Sequence, residues 1–244
     1  MPEQNNKTPP TLKFTIAAVF AALTLILSIA PLPSIGYVNV VAAMEVIGAI
    51  VASTNMLGAA GVSAGAILFN LYKPSELFLQ LGFLTMALGS FTITLLMIRR
   101  KWIAISLAVI LQILFFIAPG NVFVPAWALW DKFLAILLIY PASVLVDKTF
   151  KSEINAKLLF PTVLLLAFIG LEVDAMAGNL LFGVYGYELI GVSAEQVAGM
   201  YQPFAFAAAE ERLAVALVSA FLTTPLVWAV KANPQISWLI VRGR

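Results

Sequence analysis

The sequence predicts an all-α fold: a polytopic membrane bundle of six to eight transmembrane helices, with its N- and C-termini in the cytoplasm. Hydrophobic residues make up 62% of the 244-residue chain and charged residues only 11%, whereas a soluble domain is about half apolar and a quarter charged. Such an excess of apolar surface has to be covered by lipid. We therefore expect a multi-pass protein of the cytoplasmic membrane, surrounded by the lipid bilayer.

Eight apolar runs are candidates for spanning helices, because a span needs about 20 mostly apolar residues. The runs are 12–31, 37–53, 56–72, 76–98, 102–118, 125–146, 157–183 and 205–230. The second and third are short, since 17 helical residues cover only about 25 Å. They can instead be short helices that pack inside the bundle and join at residues 53–55, hence the range of six to eight.

The predicted organisation is a cytoplasmic tail at 1–11, a transmembrane bundle at 12–231 and a second cytoplasmic tail at 232–244. A signal peptide is the alternative for the first apolar run, because Lys7 and Lys13 precede it. The run 14–30 is long for the apolar core of a signal peptide, and no A-x-A cleavage site follows it. We interpret it as a retained first span.

Lysine and arginine alternate between the loops in the pattern of the positive-inside rule. They lie before span one, after span four, between spans six and seven, and after span eight. These residues are Lys7, Lys13, Arg99, Arg100, Lys101, Lys148, Lys151, Lys157, Lys231, Arg242 and Arg244. The connections after spans one, five and seven contain none, and only Lys73 breaks the alternation. Eight spans with both termini in the cytoplasm fit this distribution, and an odd number does not.

The residue types that are missing exclude several kinds of chemistry. The chain has no cysteine and no histidine, so it cannot form disulfides, thiolate or imidazole metal sites, or a Ser-His-Asp triad. It contains no P-loop, no dinucleotide-binding fingerprint and no room for a soluble domain. No metal or cofactor is expected. The net charge is only +2, without a basic face, so a nucleic-acid partner is not expected either.

The predicted outer connections are rich in proline, glycine and aromatic residues, at 31–37, 119–127 and 183–204. The last is long for a connection without secondary structure, which favours a functional or gating loop. The alternative is a loop that lies on the membrane surface, held there by tyrosine and phenylalanine side chains.

Charged and polar residues inside spans are costly, and they mark functional sites by default. With the orientation above, most of them fall in the outer third of the membrane, while Glu45 lies deeper. They suit a cationic or donor-rich small molecule, which a tryptophan ring can stack on. The predicted substrate-binding residues are Trp127, Trp130, Asp131, Glu172, Asp174, Asn179, Glu211 and Arg212.

The same residues also allow structural interpretations. Glu210 and Glu211 can cap a helix N-terminus, which favours negative charge. Arg212 can neutralise Glu172 or Asp174, and Asp131–Lys132 can be an ordinary interfacial pair. Successive helical residues are about 100° apart, so 210, 211 and 212 cannot all face inward. We expect Glu211 and Arg212 to face the site and Glu210 to meet the interface.

Two spans carry small-residue surfaces, which let helices approach closely in lipid. In span three these residues fit packing within the bundle, while in span one they can equally face another subunit. The residues are Gly58, Gly61 and Gly65 in span three, and Ala17, Ala18, Ala21 and Ala22 in span one.

Taken together, four features resemble the substrate-binding S components of energy-coupling factor (ECF) transporters, which capture vitamins. They are the alanine stripe, the outer loop 31–37, the short glycine-containing helices at 44–70, and the ending formed by 178–189 and 212–228. The resemblance implies a ligand pocket in the outer half, built from the last three helices and covered by outer loops. It also implies that Ala17, Ala18, Ala21 and Ala22 dock on a transmembrane coupling subunit.

The expected function is therefore substrate capture for an ECF-type vitamin importer, without enzymatic activity of its own. ATP would be used by two separate ATPase subunits joined to the coupling subunit. The family usually has six helices, so runs 102–118 and 125–146 include an addition. One alternative is a stand-alone secondary transporter that uses its carboxylates for proton or cation coupling. A Mg²⁺-dependent enzyme acting on lipid is a further alternative, but the chain has no DxxxD motif.

Overall fold

The computed structural model describes residues 9–30, 32, 34–35, 38–74, 80–151 and 153–240. It confirms an all-α, polytopic membrane bundle. Residues 1–8 and 241–244 of the predicted tails lie outside the described residues, as does most of the predicted loop 31–37. The helices are α1 (Pro10–Ile29), α2 (Ala43–Val51), α3 (Leu57–Tyr72), α4 (Phe83–Met97), α5 (Lys101–Ile117), α6 (Trp130–Thr149), α7 (Ala156–Leu181), α8 (Tyr187–Leu189), α9 (Ala194–Phe204) and α10 (Ala207–Ala232).

Within the described residues, six helical segments are long and apolar enough to cross a membrane. They are Pro10–Ile29, Thr54–Tyr72, Gln80–Met97, Ala126–Thr149, Ala156–Leu189 and Ala207–Ala232. A shorter apolar helix, α5, packs beside them on α4, α6 and α7. We call the end of the bundle where α4 ends and α5 begins the basic end, after 99–101. We call the opposite end, where α6 and α10 begin, the distal end.

The predicted span 37–53 is corrected, because only its second half is helical. Two-residue strands, β1 (Ser34–Ile35) and β2 (Val38–Asn39), form an antiparallel hairpin, a 3₁₀ turn follows, and then the nine-residue α2. Nine helical residues rise only about 14 Å, half of a bilayer core of about 30 Å. Non-helical backbone at membrane depth is tolerated where protein surrounds it, and α2 is enclosed by α3, α4, α7 and α10.

A tight turn joins α2 to α3 at the junction 53–55 that the alternative of two short helices proposed, but only α2 is too short to cross a membrane, since Thr54–Tyr72 is long enough. Asn55 and Met56 both adopt left-handed backbone conformations, with φ of 55° and 59°. The Thr54 hydroxyl donates a hydrogen bond to the carbonyl of Trp238 at 2.7 Å. This contact places the turn next to the C-terminal segment, so residues 38–53 run from the distal half of the bundle towards the basic end.

Helix α7 is the centre of the bundle. It packs on α2, α4, α5, α6 and α10, and most of its residues from 162 to 178 are buried. Its apolar core includes the fully buried Leu166 and Ile169. Beyond Leu181 the helix widens into a π-helical turn at Phe182–Gly186. The distal half of α7 is therefore surrounded by protein, which is where polar side chains can be placed away from lipid.

The alanine stripe of α1 is divided between two surroundings. A Cβ at Gly61 would lie 2.5 Å from the Ala17 carbonyl oxygen, and one at Gly65 the same distance from that of Ala21. Ala17 and Ala21 therefore pack on α3, where only glycine allows this approach. Ala18 and Ala22 are exposed. Of the four residues predicted to meet a partner, two are thus engaged inside the bundle.

Candidate functional site

The larger of two neighbouring cavities, of about 480 Å³, lies at the distal end between α6, α7, α9 and α10. Its walls are mostly apolar and aromatic, and a few charged groups converge on it. A pocket of a few hundred Å³ with such a lining is typical of small-molecule sites. The lining residues are Ala128, Leu129, Lys132, Gly178, Asn179, Phe182, Met200, Tyr201, Phe204, Ala205, Ala208, Glu211 and Arg212.

A second cavity, of about 320 Å³, lies between the β-hairpin, α4, α7 and α10. It is smaller than the first cavity, and a larger share of its lining side chains is polar. The lining residues are Asn39, Val41, Ala42, Thr85, Met86, Asp174, Ala175, Gly178, Asn179 and Arg212. The two cavities share Gly178, Asn179 and Arg212, so these three residues form the boundary between them.

A group of four charged residues, Asp131, Lys132, Glu172 and Arg212, lies at and behind the wall of the larger cavity, and we call it the charged cluster. The first three are buried and Arg212 is partly buried. The Lys132 ammonium group contacts the Asp131 carboxylate and lies 3.2 Å from Glu172 Oε2. Arg212 Nε lies 3.7 Å from the same Glu172 oxygen. A buried charge is tolerated only when it is paired, and each of the four has a partner here.

The first turn of α6 explains how this cluster is held. Asp131 is in the first turn, where the helix dipole favours a carboxylate, and it accepts a hydrogen bond from the backbone N–H of Lys132 at 3.0 Å. Lys132 and Arg212 line the larger cavity, whereas Asp131 and Glu172 do not. The two carboxylates therefore lie behind the cavity wall and hold the Lys132 and Arg212 side chains in place at the wall.

The predicted site residues fall into three groups. Asn179, Glu211 and Arg212 line the larger cavity, and Asp174 lines the smaller one. Asp131 and Glu172 are buried behind the wall. Trp127 and Trp130 line neither cavity.

The structure therefore brings neither tryptophan to one of the two cavities. The prediction assumed one α-helix from 125 onward, which would place Trp127 and Asp131 on one face. Residues Ala126–Leu129 instead form a 3₁₀ turn, and α6 begins at Trp130. Trp127 is 54% exposed. The Trp130 indole donates to the Ala205 carbonyl at 2.9 Å and its ring lies 5.9 Å from that of Phe206, which ties α6 to the start of α10.

The three consecutive charges at 210–212 separate as the helical geometry predicted. Glu210 is exposed, while Glu211 and Arg212 line the larger cavity. Arg212 Nη1 also donates a hydrogen bond to the Ala208 carbonyl at 3.1 Å, one turn earlier. This bond and the Glu172 contact hold the guanidinium between the two cavities.

Sequence reasoning missed the wall that α9 contributes. The connection 183–204 had no predicted element, yet α9 occupies Ala194–Phe204 and places Met200, Tyr201 and Phe204 at the larger cavity. A signal was present, because Ser193 and Gln196 form a capping box, the S-x-x-Q pattern of a helix start. Burial raises the pKa of the Tyr201 phenol, so its hydroxyl stays protonated and can donate a hydrogen bond.

Asn121 was also missed, and it positions the distal end of α7. It is fully buried, and its side-chain amide donates to the Asn179 carbonyl at 3.2 Å. Gly183 leaves it room, since any Cβ there would overlap the Asn121 amide. The contact lies beside the π-helical turn, and such turns are frequent at functional sites.

Glu45 lies deeper, in the first turn of α2. It is fully buried, and its Oε2 would lie 2.6 Å from a Cβ at Gly89. Neither carboxylate oxygen has a hydrogen-bond partner within the described part of the chain. The same part contains no group of three or more acidic side chains that could hold a metal ion.

No protein-family model, curated protein or solved structure matches this chain.

Proposed function

We propose that this chain is the membrane-embedded capture subunit of an ECF-type importer in the cytoplasmic membrane, binding a vitamin-sized molecule at its outer side. The observation that carries the proposal is the 480 Å³ cavity at the distal end, walled by α6, α7, α9 and α10. The last spans and the connection before the final helix are the parts that the family resemblance assigns to the ligand.

The sidedness of the cavity supports this proposal. The cavity lies opposite the basic end, and by the positive-inside rule the basic end faces the cytoplasm. A molecule arriving from outside would thus meet the cavity first. A separate coupling subunit would dock on α1, where Ala18 and Ala22 remain exposed, and two ATPase subunits would supply the energy.

Capture can be tested on the purified chain without knowing the ligand. The protein is isolated in detergent and denatured, and the released small molecules are identified by mass spectrometry. We expect one compound in about equimolar amount. In the variant Ala208→Trp a large ring would fill the cavity, and the compound should be lost.

The matched control is Leu213→Trp, which places the same ring on a lipid-exposed position of α10. This variant should retain the compound. Equal retention by both variants would remove the cavity as the binding site. Robust chemical turnover of a substrate by the chain alone would overturn the capture function.

A second candidate function is favoured by Glu45. A fully buried carboxylate that has no hydrogen-bond partner among the described residues is a candidate for a proton or cation relay, so a stand-alone secondary transporter remains the alternative. Accumulation of solute in liposomes that contain only this chain, driven by a pH or sodium gradient without ATP, would establish this alternative and displace the capture subunit.

A further inference from the structure

Carboxyl groups outnumber cations around the two cavities of the distal half. Lys132 and Arg212 are the cations that line these cavities, and both contact carboxylates of the charged cluster. Within the described residues, the carboxylates around the two cavities are Asp131, Glu172, Asp174, Glu211 and, at greater depth, Glu45. Five carboxylates against two cations favour a ligand that brings positive charge.

Asp174 is the carboxylate best placed to receive that charge. It lines the smaller cavity together with Asn39, Thr85 and Asn179. In the described part of the chain it takes part in no salt bridge, unlike Asp131 and Glu172. Arg212 acts on it only through its charge, from the boundary of the cavity. The smaller cavity therefore presents the Asp174 carboxylate beside the neutral polar side chains of Asn39, Thr85 and Asn179, with Arg212 at the boundary to the larger cavity.

Glu45 is a second carboxylate that a positive group in the smaller cavity would stabilise. Val41 and Ala42 line the smaller cavity, and Glu45 lies one helical turn further along. Its charge interacts with those of Asp174 and Arg212. A buried carboxylate without hydrogen bonds is costly, and a positive group in the adjacent cavity would reduce that cost.

The larger cavity offers a different surface. Leu129, Phe182, Met200 and Phe204 provide apolar and aromatic walls, which suit a ring or a hydrocarbon body. Its two cations already contact carboxylates behind the wall, so a ligand anion would have to compete with Asp131 and Glu172 for them.

We infer that the smaller cavity is a subsite for the protonated amine of an amphipathic ligand, with Asp174 as its counter-charge, and that the apolar body of the same molecule occupies the larger cavity. Asn179 and Arg212 stand where the two parts of the ligand join. This inference rests on the proposed capture function, because it divides the proposed pocket into two parts.

Three indole compounds that differ in their head groups test the charge preference: tryptamine, tryptophol and indole-3-propionate. Binding to the full chain in lipid nanodiscs is measured by titration calorimetry at neutral pH, after any copurified molecule has been washed out. We expect tryptamine to bind at least about tenfold more tightly than the other two. Asp174→Asn should bring tryptamine to within about twofold of tryptophol, while Asp174→Glu should retain the preference.

Glu210→Gln is the matched control, because it removes one carboxylate at the same level from an exposed position. It should leave the preference for tryptamine unchanged. Equal binding of the three probes, preference for the propionate, no binding of any probe, or an unchanged preference in Asp174→Asn would each overturn the subsite. The three probes on the unmodified chain decide the question even where a variant fails to fold.

The two proposals fail in different ways. A stoichiometric copurified molecule without a basic nitrogen would overturn the amine subsite and leave the capture function in place. Gradient-driven accumulation by the chain alone would instead overturn the capture function, whatever the probes show.

Discussion

Ion pairs occur at both ends of the bundle, but in different surroundings. At the basic end, Arg99 Nε lies 2.9 Å from Asp147 Oδ1, and the two side chains are 28% and 57% exposed. In the charged cluster, Lys132 Nζ lies 3.2 Å from Glu172 Oε2, and the exposures are 5% and 0%. Water can solvate either partner of the first pair if the other is removed. The side chains of the second pair are too little exposed for water to replace a lost partner fully.

This difference shows that distance alone does not rank ion pairs. An exposed pair contributes little to stability, about 0–1 kcal/mol. A buried pair is also weak evidence for net stability, because desolvation offsets its attraction, but removal of one partner leaves an uncompensated charge. We expect the charged cluster to be kept because it fixes Lys132 and Arg212 at the cavity wall.

The largest effect is expected for Lys132→Met. The substitution keeps an unbranched side chain of similar length but removes the cation that contacts both Asp131 and Glu172. Asp131 would then lose its ion-pair partner, and Glu172 would keep only Arg212, 3.7 Å away. The free energy of unfolding should fall by about 3–5 kcal/mol, measured by SDS titration in mixed micelles.

Lys148→Met is the matched control, since Lys148 lies on the same helix but is exposed. It should change stability by less than about 0.5 kcal/mol. The triple variant Asp131→Asn, Lys132→Met, Glu172→Gln should recover part of the loss, because it removes the uncompensated charges together. A Lys132→Met chain as stable as the control would show that the cluster is solvated.

The membrane fold could be predicted from the sequence because its signals are local. The apolar run 157–183, for example, predicts α7 almost to its ends, and the basic residues at 99–101 mark the end of α4. The nine-residue α2 could be predicted only as an alternative to a full span, because residues 37–53 are as apolar as a true span. Whether such a run is helical throughout depends on protein neighbours at membrane depth, and periodicity does not report them.

The sequence could predict at which level of the membrane the site lies, but only partly which side chains face it. Helical spacing correctly turned Glu211 and Arg212 towards the cavity. It failed for Trp127, because a 3₁₀ turn before α6 changes the angle between 127 and 131. It also could not show that Lys132 contacts Glu172, since that contact joins α6 to α7 and no spacing along one helix encodes it.

A smaller effect is expected for Glu172→Gln. The carboxamide keeps the size of the carboxylate, and Lys132 retains Asp131, so mainly Arg212 loses its buried counter-charge. We expect a loss of about 1–3 kcal/mol in the same SDS titration. The exposed Glu153→Gln serves as the control. A loss as large as that of Lys132→Met would mean that Asp131 contributes little to holding Lys132.

The smallest effect is expected at the basic end, for Asp147→Asn. Arg99 has a left-handed backbone, with φ of 63°, and its guanidinium also donates to the carbonyls of Met97 at 2.7 Å and Phe150 at 3.3 Å. These two bonds keep the arginine in place at the turn between α4 and α5 when the carboxylate is neutralised. The loss should be at most about 1 kcal/mol.

Salt should reduce even that loss, because at 0.5 M ionic strength the Debye length is about 4 Å and exposed charges are partly screened, whereas the Lys132→Met loss should persist. Because SDS is itself anionic, this comparison is made by thermal unfolding in a non-ionic detergent with and without 0.5 M NaCl. If Asp147→Asn costs several kcal/mol at both salt concentrations, the Arg99–Asp147 pair behaves as a buried one, and burial no longer distinguishes the two ends. If the Lys132→Met loss disappears in salt, solvent reaches the charged cluster, and the distal end holds its cations no more firmly than the basic end does.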